Sequence, residues 1–144
     1  MALITVTPRH VSPLVGSNLT RYRAGGSGSI GDFVYQAADF DVEATLADAA
    51  GTTNNCVGMV VSVGIDGATD FSDGDYVDVC DYGPVDLGND AGMSVGKVYL
   101  HDGTEGGIDQ TAPSDTGDQV FSVGRAKNAR TLWIDLQKTD AATV

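Results

Sequence analysis

Residues 74–136 read GDYVDVCDYGPVDLGNDAGMSVGKVYLHDGTEGGIDQTAPSDTGDQVFSVGRAKNARTLWIDL, a series of short apolar runs broken at almost every turn by Gly-Asp, Asp-Gly or Gly-Gly. No window of it carries apolar residues at helical spacing, so it buries them by pairing strands into a closed or sandwiched sheet. The pattern predicts strands at Tyr76–Cys80, Val85–Leu87, Val95–His101, Val120–Lys127 and Thr131–Gln137. In the last of these, strand alternation puts Trp133 on one face and Leu132, Ile134 and Leu136 on the other.

Outward from this stretch, CVGMVVSVGI (residues 56–65) is the most continuously apolar and β-branched run of the chain. Its length and composition predict a strand buried on both faces at the centre of the sheet. Before it, FDVEATL alternates Phe40, Val42, Ala44 and Leu46 against acids and Thr45, the period of a half-buried strand, and DFVYQ adds another. Leu46–Ala50 suits a single helical turn, and an Asp66-Gly67 turn comes after the central run. About nine or ten short strands at this spacing predict an all-β fold, a small barrel or a sandwich, over residues 31–138.

Residues 1–30 have another character. ALITVT is β-prone but ends at Pro8, and Pro13, Gly16 and Gly25-Gly26 interrupt the next twenty residues. An extended N-terminal arm is predicted, with Leu19–Arg23 its one strand-like piece and residues 139–144 a flexible tail at the other end.

Charge sharpens the division. Twenty acids face eight bases, a formal net charge of -12, which repels nucleic-acid phosphates and anionic lipid and argues against both as partners. Residues 1–31 hold Arg9, Arg21 and Arg23 and no acid, residues 32–118 hold eighteen acids against Lys97 alone, and the last 26 residues turn basic again through Arg125, Lys127, Arg130 and Lys138. An acidic body with basic ends suits a molecule whose ends touch something acidic. Cys56 and Cys80 sit in or beside apolar strands and outside any CxxC, so they are read as buried thiols rather than a disulfide. The N-terminal residues lack the pattern of a secretory signal, and no apolar run approaches the roughly 18 residues of a membrane span. A reducing cytosol is the expected place of synthesis, and the Asn18-Leu19-Thr20 sequon therefore carries no weight.

Several patterns resemble chemistry. Gly26–Gly31 fits GxGxxG, but a dinucleotide loop must open a helix, and this one opens a strand, so a hinge is expected. Gly92–Gly96 fits GxSxG around Ser94, yet the residues after Ser94 run into a strand where a nucleophile elbow requires a helix. Asp70, Asp73, Asp75, Asp78 and Asp81 lack the spacing of a calcium loop. His10 and His101 are too few for a zinc site. Gly-Asp-x-Val recurs at Gly31, Gly74 and Gly117, 43 residues apart, but the residues after each copy differ. The recurrence reads as repeated turn chemistry, Gly for positive φ and Asp to cap the turn. No catalytic residue, cofactor or metal ligand is assigned, and the chain is expected not to be an enzyme.

The order of motifs over residues 30–136 resembles a family. Gly31–Tyr35 (GDFVY), the Val57–Val61 run (VGMVV) and, from Val95, a Val-Tyr-Leu strand, a Gly-rich loop, a Pro-containing loop, Gly-Asp, Val-Gly-Arg-Ala and a final alternating strand are similar to the capsid decoration, or cement, proteins of tailed bacteriophages. The resemblance implies a β-barrel or β-tulip body on the outer surface of the phage head, usually a homotrimer at three-fold positions. It implies the major capsid protein as partner, and a path through the host cytoplasm into the virion. In such proteins an N-terminal arm lies along the capsid floor or a neighbouring subunit. Here that predicts strand addition by Leu3, Ile4 and Val6 to a capsid strand, and pairing of Arg9, Arg21 and Arg23 with capsid carboxylates. The other reading of an all-β phage protein is a receptor- or glycan-binding module of a tail or fibre.

Overall fold

The computed structural model describes residues 3–38, 41–44, 56–64, 68–101, 106–112 and 119–141. The strands, in chain order, are β1 Ser12–Pro13, β2 Asn18–Ala24, β3 Gly28–Ser29, β4 Phe33–Ala38, β5 Asp41–Ala44, β6 Cys56–Val63, β7 Asp70–Phe71, β8 Tyr76–Asp86, β9 Gly96–Leu100, β10 Ile108–Asp109, β11 Gln119–Ala126 and β12 Thr131–Ala141. Helical structure among the described residues is limited to two 3-10 turns, Pro8–His10 and Asn89–Ala91. The fold is all-β, as the alternation predicts.

Five strands close a small barrel in the order β8, β2, β5, β4, β6, which β6 shuts by pairing with β8. The β2–β5 seam is parallel and the other four are antiparallel. From the second half of β8, on the edge that β6 takes along the first half, the sheet continues through β12, β11 and β9 to the short edge strand β10. We call this part the flank. β3 and β7 form a separate two-stranded ladder.

Phe33, Val34, Val42, Met59, Val60, Val77 and Val79 are fully or almost fully buried in the barrel strands; Val85, Val98, Leu100, Ile108, Val123, Leu132 and Ile134 are equally buried along the flank. All belong to one continuous apolar cluster. Two glycines permit the close approaches that build it. Gly58 in β6 has φ 144°, and a Cβ there would collide with the Cys80 carbonyl oxygen where β6 closes on β8. Gly124 in β11 has φ 151°, and a Cβ there would collide with the carbonyl oxygen of Trp133 on β12, beside a shift of register in the β11–β12 ladder. Side-chain-free backbone is required at both points.

The structure departs from the sequence reading in three places. The strands expected at Tyr76–Cys80 and Val85–Leu87 are one strand, β8, carried through Gly83-Pro84. That pair marks a change of partner: the first half of β8 faces β2 and β6, the second half β1 and β12. Pro84 lacks an N–H, but its carbonyl still accepts the Leu14 amide at 3.0 Å.

Residues 3–30, expected as an extended arm, lie on the body. Leu19–Arg23 is indeed strand, but as part of β2 it is a wall of the barrel, and Ile4 and Val11 are buried. The glycine stretch expected as a hinge is fixed at Gly28–Ser29 by pairing with β7. At the other end β12 runs on through residues expected in a tail, to Ala141 opposite Gln119. The helical turn at Leu46–Ala50, Phe40 and Leu46 of the alternating run, the Asp66-Gly67 turn, Pro113 and the Gly117 copy of Gly-Asp lie outside the described residues.

Candidate functional site

The six residues expected to bind a capsid separate into different environments. Leu3 forms a bridge with Asp109, and the Ile4 amide donates to the Ile108 carbonyl at 2.9 Å. The β-prone start of the chain thus adds to a sheet edge, and the edge is its own β10. An unpaired edge invites foreign strands, and this segment covers it. Ile4 is buried and Val6 packs against the core and Gly31, whereas Leu3 remains exposed.

Arg21 and Arg23 project from β2 toward acids of neighbouring strands. Arg21 Nε donates to Asp78 Oδ1 at 3.1 Å, and Arg23 donates to both oxygens of Asp41 at 2.7 and 3.1 Å. Desolvation pushes the Asp78 carboxyl upward, but hydrogen bonds from Arg21 and from the Ser62 hydroxyl outweigh it and hold it below the usual carboxylate value. The Arg23 hydrogen bond likewise lowers Asp41. Both guanidiniums are therefore paired within the chain, Arg21 through Nε alone, while their side chains stay exposed. Arg9 is exposed and has no ion pair among the described residues.

The chemistry-like motifs resolve into structural roles. Ser94 lies between the Asn89–Ala91 turn and β9 and opens no helix; its amide donates to Gln110 Oε1 at 2.9 Å, while Gln110 Nε2 donates back to its carbonyl. Cys56 and Cys80 are free and buried, and burial pushes the Cys56 thiol up to about 12, far from a reactive thiolate. His10 lies 3.6 Å from Asp90, which also accepts the Thr7 hydroxyl. Arg130 grips both oxygens of Asp86 at 2.9 and 2.8 Å and reaches Asn89 at 2.8 Å. Its hydrogen bond lowers the Asp86 carboxyl against a smaller opposing effect of burial. Asp109 is buried, with Oδ1 accepting the Thr111 amide and Oδ2 without a hydrogen-bond partner among the described residues. Among the described residues no three His, Cys, Asp or Glu side chains are grouped to hold a metal ion.

A different surface emerges on the outside of the flank. Register places Lys97 of β9 beside Arg125 of β11, Arg125 beside Trp133 of β12, and Trp133 beside Pro84 of β8. Tyr82 meets Trp133 edge-on, ring centroids 5.8 Å apart, and the Lys127 ammonium sits 5.7 Å from the Trp133 centroid. Lys97, Arg125 and Lys127 are exposed, Tyr82 is 49% exposed and Val95 72%. A depression of about 230 Å³ lies between Lys97, Ser122, Arg125, Asp135 and Gln137. The sequence shows these cations only as one base in an acidic body and two in a basic end. Their convergence depends on how β9, β11 and β12 pair.

No family model matches the chain, and no curated protein matches it.

Proposed function

We propose that this protein is a virion structural protein that binds the outer surface of a tailed-phage head and cements neighbouring major capsid protein subunits, acting as an oligomer of itself, in the family pattern a trimer. The observation that carries this reading is the order of the family-like motifs. Phe33–Tyr35, Val57–Val61, Gly96–Leu100, Gln119–Ala126 and Thr131–Leu136 of these motifs fall on strands of one all-β body with a shared core. The described residues present packed strands and paired charges, the makeup of a rigid building block, and no arrangement of nucleophile, base and oxyanion donors. A protein that binds the expanded shell and not its precursor stabilises the expanded state by mass action, and several linked copies raise the avidity of modest contacts.

Within this reading the arm's role changes. Ile4, Val6, Arg21 and Arg23 are spent on the body, which leaves Leu3 and Arg9 for a capsid, together with the fully exposed Val15 at the tip of the turn after β1. The tail or fibre module stays as the second reading because Tyr76 and Tyr82 are about half exposed, as sugar stacking requires.

Co-sedimentation of the purified full chain with expanded empty heads and, separately, with tails of the same phage tests the two. Saturable binding to heads at a copy number set by the capsid lattice is expected. Binding to tails alone, or to neither, overturns the head reading.

A further inference from the structure

The outer face of β9, β11 and β12 is an unpartnered sheet face of unusual composition for this chain. It gathers three of the eight bases, Lys97, Arg125 and Lys127, around Trp133 and Tyr82, in a molecule of net charge -12. None of the three makes an ion pair among the described residues. Arg21, Arg23 and Arg130, by contrast, are each held by a carboxylate of an adjacent strand. Asp135, opposite Tyr82, lines the depression together with Lys97 and Arg125 and offsets part of their charge.

The complement of this face is on the same chain but at the far end of β8. Asp70, Asp73 and Asp75 lead into Tyr76, which is 59% exposed, and none of these acids forms an ion pair among the described residues. The Ser29 hydroxyl donates to Asp70 across the β3–β7 ladder, the Ser72 amide donates to Asp75, and Asp73 lies within electrostatic reach of Arg23. Tyr76 and Pro84 are eight positions apart on one strand, a separation of up to about 27 Å. The acidic loop and the cationic face thus lie toward opposite ends of β8.

We propose that the cationic, aromatic face of the flank binds the 70–76 loop of a second copy of this chain, head to tail. The proposal deepens the self-association contained in the function proposed above, and rests on that part of it alone. Three bases meet three acids, each set beside an exposed aromatic, and the depression between Lys97 and Arg125 has room for a carboxylate side chain. Such a contact uses two different patches, so it closes into a ring when the rotation between copies permits and otherwise propagates. Two bodies of charge -12 repel at a distance, but at physiological ionic strength that repulsion fades over about 8 Å while touching pairs persist. The association is accordingly weakened by high salt, and its specificity comes from charge matching.

Sedimentation velocity of the full chain at physiological salt, over a range of concentrations, tests this with two charge-reversed variants, Lys97→Glu/Arg125→Glu and Asp70→Lys/Asp73→Lys. All four substitutions are at exposed positions, and circular dichroism checks that each variant is folded. The wild type is expected to associate, each variant alone to associate more than about tenfold more weakly, and an equal mixture of the two to regain association, because each supplies the face the other lacks. A wild type that is monomeric throughout, variants that associate like wild type, or a mixture that stays monomeric overturns the contact. Failure of the head-binding reading would appear elsewhere, as wild-type protein that associates normally yet does not co-sediment with heads.

Discussion

The barrel and the flank share one core but treat charge differently. In the barrel wall each arginine of β2 is answered by an acid on the neighbouring strand, Asp78 for Arg21 and Asp41 for Arg23. On the flank Lys97, Arg125 and Lys127 face solvent around Trp133. Exposed ion pairs add little to stability, so the barrel does not depend on its pairs to fold. Their effect is to leave that surface with little cationic bonding capacity unspent. The flank keeps such capacity, and it is the surface to examine for a partner.

The contrast breaks first at the strand contacts. Gly124→Val forces a side chain into the Trp133 carbonyl and should cost at least about 3 kcal/mol, read by urea unfolding with Trp133, the only tryptophan, as the reporter. Wild-type stability would mean that β11 and β12 are not so close. Phe33→Ala, in the barrel, should cost about 3–5 kcal/mol and lower the protection of every strand. Ile108→Ala, on the edge strand, falls in a similar range of about 2–5 kcal/mol, but hydrogen exchange should rise mainly at β10 and residues 3–6. Equal loss of protection across the barrel would show that the two regions open as one.

Ile4→Ala should destabilise by about 2 kcal/mol; a freely extended arm requires no change. The acid limb of stability depends on the depressed carboxylates. Asp86 is lowered by Arg130, so its contribution is complete above the unfolded value of 3.8 and is lost as pH falls through the lower folded value. Asp86→Asn should therefore unfold with a shallower dependence between about pH 5 and about pH 2, followed by circular dichroism. The smallest effect is expected for Lys127→Ala, at most about 1 kcal/mol, visible as a change in Trp133 emission with the fold intact.

Strand identity was legible wherever alternation is local. Phe33–Ala38, Gly96–Leu100, Gln119–Ala126 and the start of Thr131–Ala141 all follow from short apolar runs bounded by Gly and Asp, with alternation clear around Trp133. Residues 3–30 misled because Pro8, Pro13 and Gly16 carry the local marks of irregular chain, while the burial of Ile4 and Val11 comes from distant strands. Gly83-Pro84 misled for the converse reason: a pair that usually stops a strand serves here where β8 passes from one set of neighbours to another. The cationic face was invisible because Lys97 and Arg125 are 28 residues apart and meet only through the β9–β11 register.

β8 has a consequence for how the molecule is made. It pairs with β1, β2 and β6, which precede it, and with β12, which begins some 45 residues after Asp86. The barrel seams can form once residue 86 has left the ribosome, but the second half of β8 keeps one edge bare until residue 131 and beyond emerge. Pairings so distant in sequence form slowly, and at roughly 5–20 residues per second of synthesis that edge stays open for seconds. Nascent chains on one message are then at their stickiest between the synthesis of residue 86 and that of residue 131, after the barrel strands already exist.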